Sequence, residues 1–100
     1  FRTPKDDAGR AQAIRDGWLS ATRAPVLVAR LADDADRLLA RLAGSVKPDL
    51  RGDLGAARVL VQAGRRIAVD NANENAEHLE RSLAETVLAG LPADAAKPSR

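Results

Sequence analysis

Residues 53–90 read DLGAARVLVQAGRRIAVDNANENAEHLERSLAETVLAG, a long stretch without a proline. Within it Ala57, Leu60, Val61, Gly64, Ala68, Ala72, Leu79 and Leu83 recur at helical spacing. At about 100° per residue they make one apolar stripe. The spacing predicts the longest helix of the chain over this stretch, and an all-α fold. Two amides, Asn71 and Asn75, fall within roughly 40° of the centre of that stripe, and His78 and Ser82 follow along its edge. An amide taken out of water without a partner costs about 1–3 kcal/mol. The pair therefore marks either a satisfied polar contact inside a bundle, of the kind that fixes register, or a polar groove that receives a ligand.

Working outward, the rest of the chain also reads as helix. Thr3-Pro4-Lys5-Asp6 is a start signal, with Thr3 as cap and Pro4 at the first helical position. Ala11, Ile14, Trp18 and Ala21 then define a first helix over about residues 4–23, with Trp18 expected in the core. Ala24-Pro25 interrupts it, because proline disfavours helical geometry at the residue before it, and Pro25 can itself open a second helix. The stripe of that helix is Val28, Leu31, Ala32, Ala35, Leu38, Leu39 and Leu42, with Asp33, Asp34, Asp36, Arg37 and Arg41 outside it. Gly44 is expected to end it as a C′ residue. Residues 44–52 form a loop, and Asp53 is placed to cap the third helix. Gly55 and Gly64 leave room for a second backbone. Leu91-Pro92 closes the ordered part, so residues 1–92 make one unit and 93–100 a flexible tail. The expected architecture is an antiparallel bundle of three main helices, one very long, with Leu31, Leu38, Leu39, Leu60, Ile67 and Leu83 buried.

Composition narrows the function classes. Of 100 residues, 45% are hydrophobic but only 2% aromatic, so alanine and leucine carry the core, which favours close-packed helices over a sandwich. Cysteine is absent and His78 is the sole histidine, which excludes disulfides, thiolate zinc and His-rich metal sites. The 16 basic and 14 acidic residues are interspersed, a solvated helical surface without the basic stripe and stacking aromatics of a nucleic-acid binder. No apolar run approaches the roughly 20 residues that cross a bilayer, and no signal peptide is visible. Neither nucleic acid nor membrane is expected as a partner, and the expected compartment is the cytoplasm. Residue 1 is Phe, so the chain reads as a processed product or a fragment.

The order of short motifs resembles the cyclodeaminase/cyclohydrolase family of folate enzymes. Phe1-Arg2-Thr3-Pro4-Lys5 is similar to its F-x-L-P-K stretch, Ala11-Gln12-Ala13-Ile14 to an R-x-x-A-I segment, and Ala21-Thr22-Arg23-Ala24-Pro25 to an A-T-x-x-P step. Lys47-Pro48 through Asp53 stands for N-P-x-x-x-x-D, and Asn71 through Asn75 for N-x-x-x-N. Thr3 replaces the usual leucine, Lys47 the usual asparagine, and Asn73-Glu74 an Arg/apolar pair. The family's P-G-G-G-S stretch has no counterpart, so the resemblance covers the C-terminal half of such a domain.

That resemblance implies chemistry on the one-carbon unit of a tetrahydrofolate. The reaction is either hydrolysis of 5,10-methenyltetrahydrofolate or cyclodeamination of 5-formiminotetrahydrofolate, with the folate as substrate and no separate cofactor or metal. On matching positions it points to Asp53 as the catalytic charged group. Asn71, Asn75, Thr22 and Lys5 become substrate-binding residues, Lys5 for a glutamate tail. Each has a plainer alternative: Asp53 as a helix cap, Lys5 as a solvated lysine, His78 as a rim residue. The other function class is a non-catalytic helical module that uses the fold for subunit contacts. A thin alanine-rich core calls for a partner in either case, as a homodimer or by pairing with the missing N-terminal half.

Overall fold

A computed structural model describes residues 7–95, and among these there is no strand. Helix α1 spans Asp7–Leu42, α2 spans Arg51–Ala76 and α3 spans Arg81–Leu88, with short 3-10 turns at Pro48–Leu50 and Ala93–Ala95. The expected start at Thr3-Pro4-Lys5-Asp6 lies outside the described residues. Contacts between α1 and α2 run in opposite order along the two helices: Asp36 meets Arg58, Asp33 meets Arg65 and Ala21 meets Asn75, and just past the end of α2 Trp18 meets His78. The pair is therefore antiparallel, and α3 folds back against both.

The helix boundaries depart from the sequence reading in four places. First, α1 is the longest helix, 36 residues, and runs straight through Pro25. Proline has no N–H for the carbonyl four residues back, here Ala21. The Asn75 side chain supplies the missing donor, its Nδ2–H donating to the Ala21 carbonyl oxygen at 2.8 Å. Second, the stretch 53–90 is not one helix. After Ala76 the backbone tightens into i→i−3 bonds, from His78 N–H to Asn75 O at 3.1 Å and from Leu79 N–H to Ala76 O at 3.0 Å. Glu80 is then extended, with φ −57° and ψ 147°. Asparagine is a poor helix former, and Asn73 turns its amide back onto the Val69 carbonyl at 2.9 Å, so the helix is weak where it breaks.

Third, α2 begins at Arg51, so Asp53 lies inside the first turn and Leu50, with no side-chain cap, holds the capping position. Fourth, α1 stops at Leu42, and Gly44 is not in the left-handed region that a C′ glycine adopts. Gly55 and Gly64 meet no second backbone; nothing lies within 4 Å of a Cβ built at either. The glycine that packing does require is Gly90, where a Cβ would come within 3.1 Å of Val26 Cγ1.

The core is built from small residues. Thr22, Val26 and Ala29 of α1 face Ala68, Ala72 and Ala76 of α2, closed at one side by Leu91 with Val69, Val87 and Leu88 packed around it. The larger apolar residues expected inside are outside: Leu31 is 68% exposed, Leu38 52%, Leu60 72% and Ile67 60%. Leu39 and Leu83 are half-buried. Close approach of two helices selects alanine at the contact, which turns the leucines of each helix to its far side. Trp18, also expected in the core, is half-buried. The first residues of the expected tail form the Ala93–Ala95 turn, which carries Asp94 onto Arg65.

Candidate functional site

Three of the five residues singled out from the sequence converge where the middle of α1 crosses the end of α2. Thr22 is fully buried, and its hydroxyl donates to the Trp18 carbonyl oxygen at 2.7 Å, a back-bond to its own helix. Asn75, half-buried, spends its Nδ2 on Ala21, and its side-chain oxygen has no donor among the described residues. Asn71 stands one turn earlier on the same flank, exposed, with no side-chain partner among the described residues. Sequence reasoning left His78 at the rim and sent Trp18 to the core. Their rings instead stack on each other, with centroids 3.6 Å apart and planes 6° from parallel, closing this end of the hairpin.

Asp53 is not part of that cluster. It is exposed in the first turn of α2, unpaired among the described residues, where free backbone N–H groups favour a carboxylate. Because α2 is unbroken through Gly64, Asp53 and Asn71 stand about 27 Å apart along it. One small pocket in a single chain cannot hold both. Lys5 lies outside the described residues.

Between the two ends runs a ladder of charges that the sequence reading placed in solvent. Arg58 donates to Asp36 through Nε at 2.9 Å, and Gln62 donates to the same carboxylate at 3.3 Å. Arg65 bridges Asp33 at 3.1 Å and also Asp94, and Asp33 is shared with Arg37 at 2.7 Å. The hydrogen bond from Arg58 holds the Asp36 carboxyl below the usual carboxylate range and in turn raises Arg58. The available signal was spacing: Thr22, Val26, Ala29, Asp33 and Asp36 continue one seam at steps of four and three.

A cavity of about 450 Å³ lies beside this ladder, lined by Arg30, Asp33, Asp34, Arg37 and the Ala89–Pro92 segment. It contains none of the five singled-out residues. Among the described residues no three His, Cys, Asp or Glu side chains converge as metal ligands, and no helix is long and apolar enough to cross a membrane. In the comparisons with known proteins, a family model described as formiminotransferase-cyclodeaminase matches residues 1–89. No curated protein and no solved structure matches the chain.

Proposed function

The chain belongs to the formiminotransferase-cyclodeaminase family, a folate-related family of one-carbon metabolism, and from that membership we propose that it acts on the one-carbon unit carried by a tetrahydrofolate. Two reactions fit. In the first, water adds to the methenyl carbon of 5,10-methenyltetrahydrofolate, one C–N bond breaks, and a proton leaves as the formyl form appears. In the second, N10 of 5-formiminotetrahydrofolate attacks the carbon of the protonated formimino group, its proton passes to the formimino nitrogen, and the bond from carbon to that nitrogen breaks, so that the methenyl cation forms and ammonia departs. Each needs an acceptor for a proton, taken from water or from N10, beside a carbon bearing positive charge. A carboxylate serves both purposes.

The observation that carries the reading is the family match together with the state of Asp53 and Asn71, two polar side chains of α2 that are exposed and unpaired among the described residues. Asp53 takes the proton, and Asn71 holds the ligand by hydrogen bonds. Asn75 lines the same flank and offers its side-chain oxygen while its side-chain nitrogen stays on Ala21. The separation along α2 calls for a long groove, and a folate with its glutamate tail is a long ligand.

Steady-state assays on both folate substrates test this. Asp53→Asn should depress kcat with the fold intact, and Asn71→Leu should raise KM. Wild-type kinetics in both variants would remove these residues from the site. The non-catalytic alternative draws on the exposed leucines, which suit an interaction module; a chain that associates but neither binds nor converts folate would favour it.

A further inference from the structure

Past the end of α3, residues 89–92 cross α1 as a strap, and three contacts fix it there. Leu91 is buried in the core, and Gly90 lies so close to α1 that a Cβ on it would come within 3.1 Å of Val26 Cγ1. Just beyond, Asp94 is held by Arg65. The cavity of about 450 Å³ between this strap and Arg30, Asp33, Asp34 and Arg37 of α1 therefore has a preformed wall. Its size falls within the roughly 300–1,000 Å³ of small-molecule sites. The family match ends at residue 89, where the strap begins, and no residue given a role toward folate lines the cavity.

The four charged side chains of the cavity are not equivalent. Asp33 is occupied twice, by Arg37 at 2.7 Å and by Arg65 at 3.1 Å. Arg30 and Asp34 have no partner among the described residues, although four positions place them one turn apart on the same face. A basic residue N-terminal to an acidic one is the less favourable order for a helical pair, which leaves both groups available. A guanidinium and a carboxylate thus line one cavity from Cβ atoms about 5–6 Å apart.

The strap adds acceptors. The backbone carbonyl oxygens of Ala89 and Gly90 accept no hydrogen bond among the described residues. Pro92 has no N–H to give the Ala89 carbonyl three residues back. Both oxygens lie at the negative end of α3, where a cation is favoured. A ligand that satisfies this set carries a carboxylate for Arg30 and, close to it, an ammonium whose N–H groups serve Asp34 and the carbonyls. A simple anion would be repelled by Asp34, and a simple cation by Arg30.

We propose that this cavity binds a small zwitterion, an α-amino acid, whose carboxylate is held by Arg30 and whose ammonium is shared by Asp34 and the carbonyl end of α3. Asp53, Asn71 and Asn75 take no part, so the site stands whether or not the chain acts on folate.

Thermal unfolding of the full chain tests this with glycine as the probe. A ligand bound only to the folded chain raises the midpoint along a saturating curve, whereas an excluded osmolyte raises it without saturation. Glycine should give the saturating rise. Acetate, glutarate and methylammonium, which carry charge of one sign only, should not. Trimethylglycine, with both charges but no N–H, should give the osmolyte effect alone. Arg30→Gln and Asp34→Asn, both at exposed positions, should each raise the dissociation constant for glycine about tenfold, and Arg23→Gln should leave it unchanged. A saturating rise with acetate, glutarate or trimethylglycine equal to that with glycine would overturn the zwitterion site. So would a glycine response that never saturates, or one that survives both substitutions.

Discussion

At Pro25 a helix loses one backbone donor, and the donor returns from 54 positions away in the amide of Asn75. The exchange explains two residues that are each misleading alone. Proline marks a break by every local rule, and an asparagine on an apolar stripe marks either a polar seam or a ligand groove. Neither reading contains the other, because local propensity does not see a hydrogen bond between distant segments. Replacing Asn75 with Leu should cost about 1–3 kcal/mol by leaving the Ala21 carbonyl unsatisfied. In a Pro25→Ala background, where residue 25 regains its N–H, the same replacement should cost clearly less. Urea denaturation of the four proteins gives the coupling. Additive effects would show that the bond at Ala21 does not repair the proline.

For the helix pair, the question is which face of each helix meets the other. Hydropathy selects the largest apolar residues, so Leu31, Leu38, Leu60 and Ile67 are the natural core candidates from the sequence. Close packing selects the smallest, and the contact uses Thr22, Val26, Ala29, Ala68, Ala72 and Ala76. The class and the antiparallel arrangement were legible because helical periodicity survives either choice. The identity of the inner face was not, since each helix has apolar residues on two sides. The same seam continues into Asp36 and Arg58, which gives it a pH dependence. Asp36 is held below the ordinary carboxylate value of about 3.9 by the Arg58 hydrogen bond. Its contribution is therefore complete above that value and is lost as pH falls through the lower folded one. Asp36→Asn should weaken the fold at neutral pH and flatten the decline in the urea midpoint below about pH 4. An unchanged acid slope would mean that the pair adds nothing to folding.

At the scale of the whole molecule the described chain is a long, thin slab, with extents of 65 × 31 × 18 Å. Among the described residues only six apolar side chains are buried, four of them alanines, so the hydrophobic term is small for a chain of this length. Leu60, Ile67 and Val59 on one side and Leu27, Leu31 and Leu38 on the other remain more than half exposed. The candidate site shows the same incompleteness. Its residue types were legible from motif order, whereas its geometry was not, because Asp53 and Asn71 lie on one helix and no spacing within one chain brings them together. If a second copy supplies the missing apolar cover, folding and association are one equilibrium. The thermal midpoint should then rise with protein concentration. Leu60→Glu should lower that midpoint and abolish its concentration dependence, while Leu38→Glu, on the far face of α1, should leave the dependence in place. A midpoint independent of concentration in the wild-type chain would show that the thin core suffices by itself, and the exposed face of α2 would then need a different explanation.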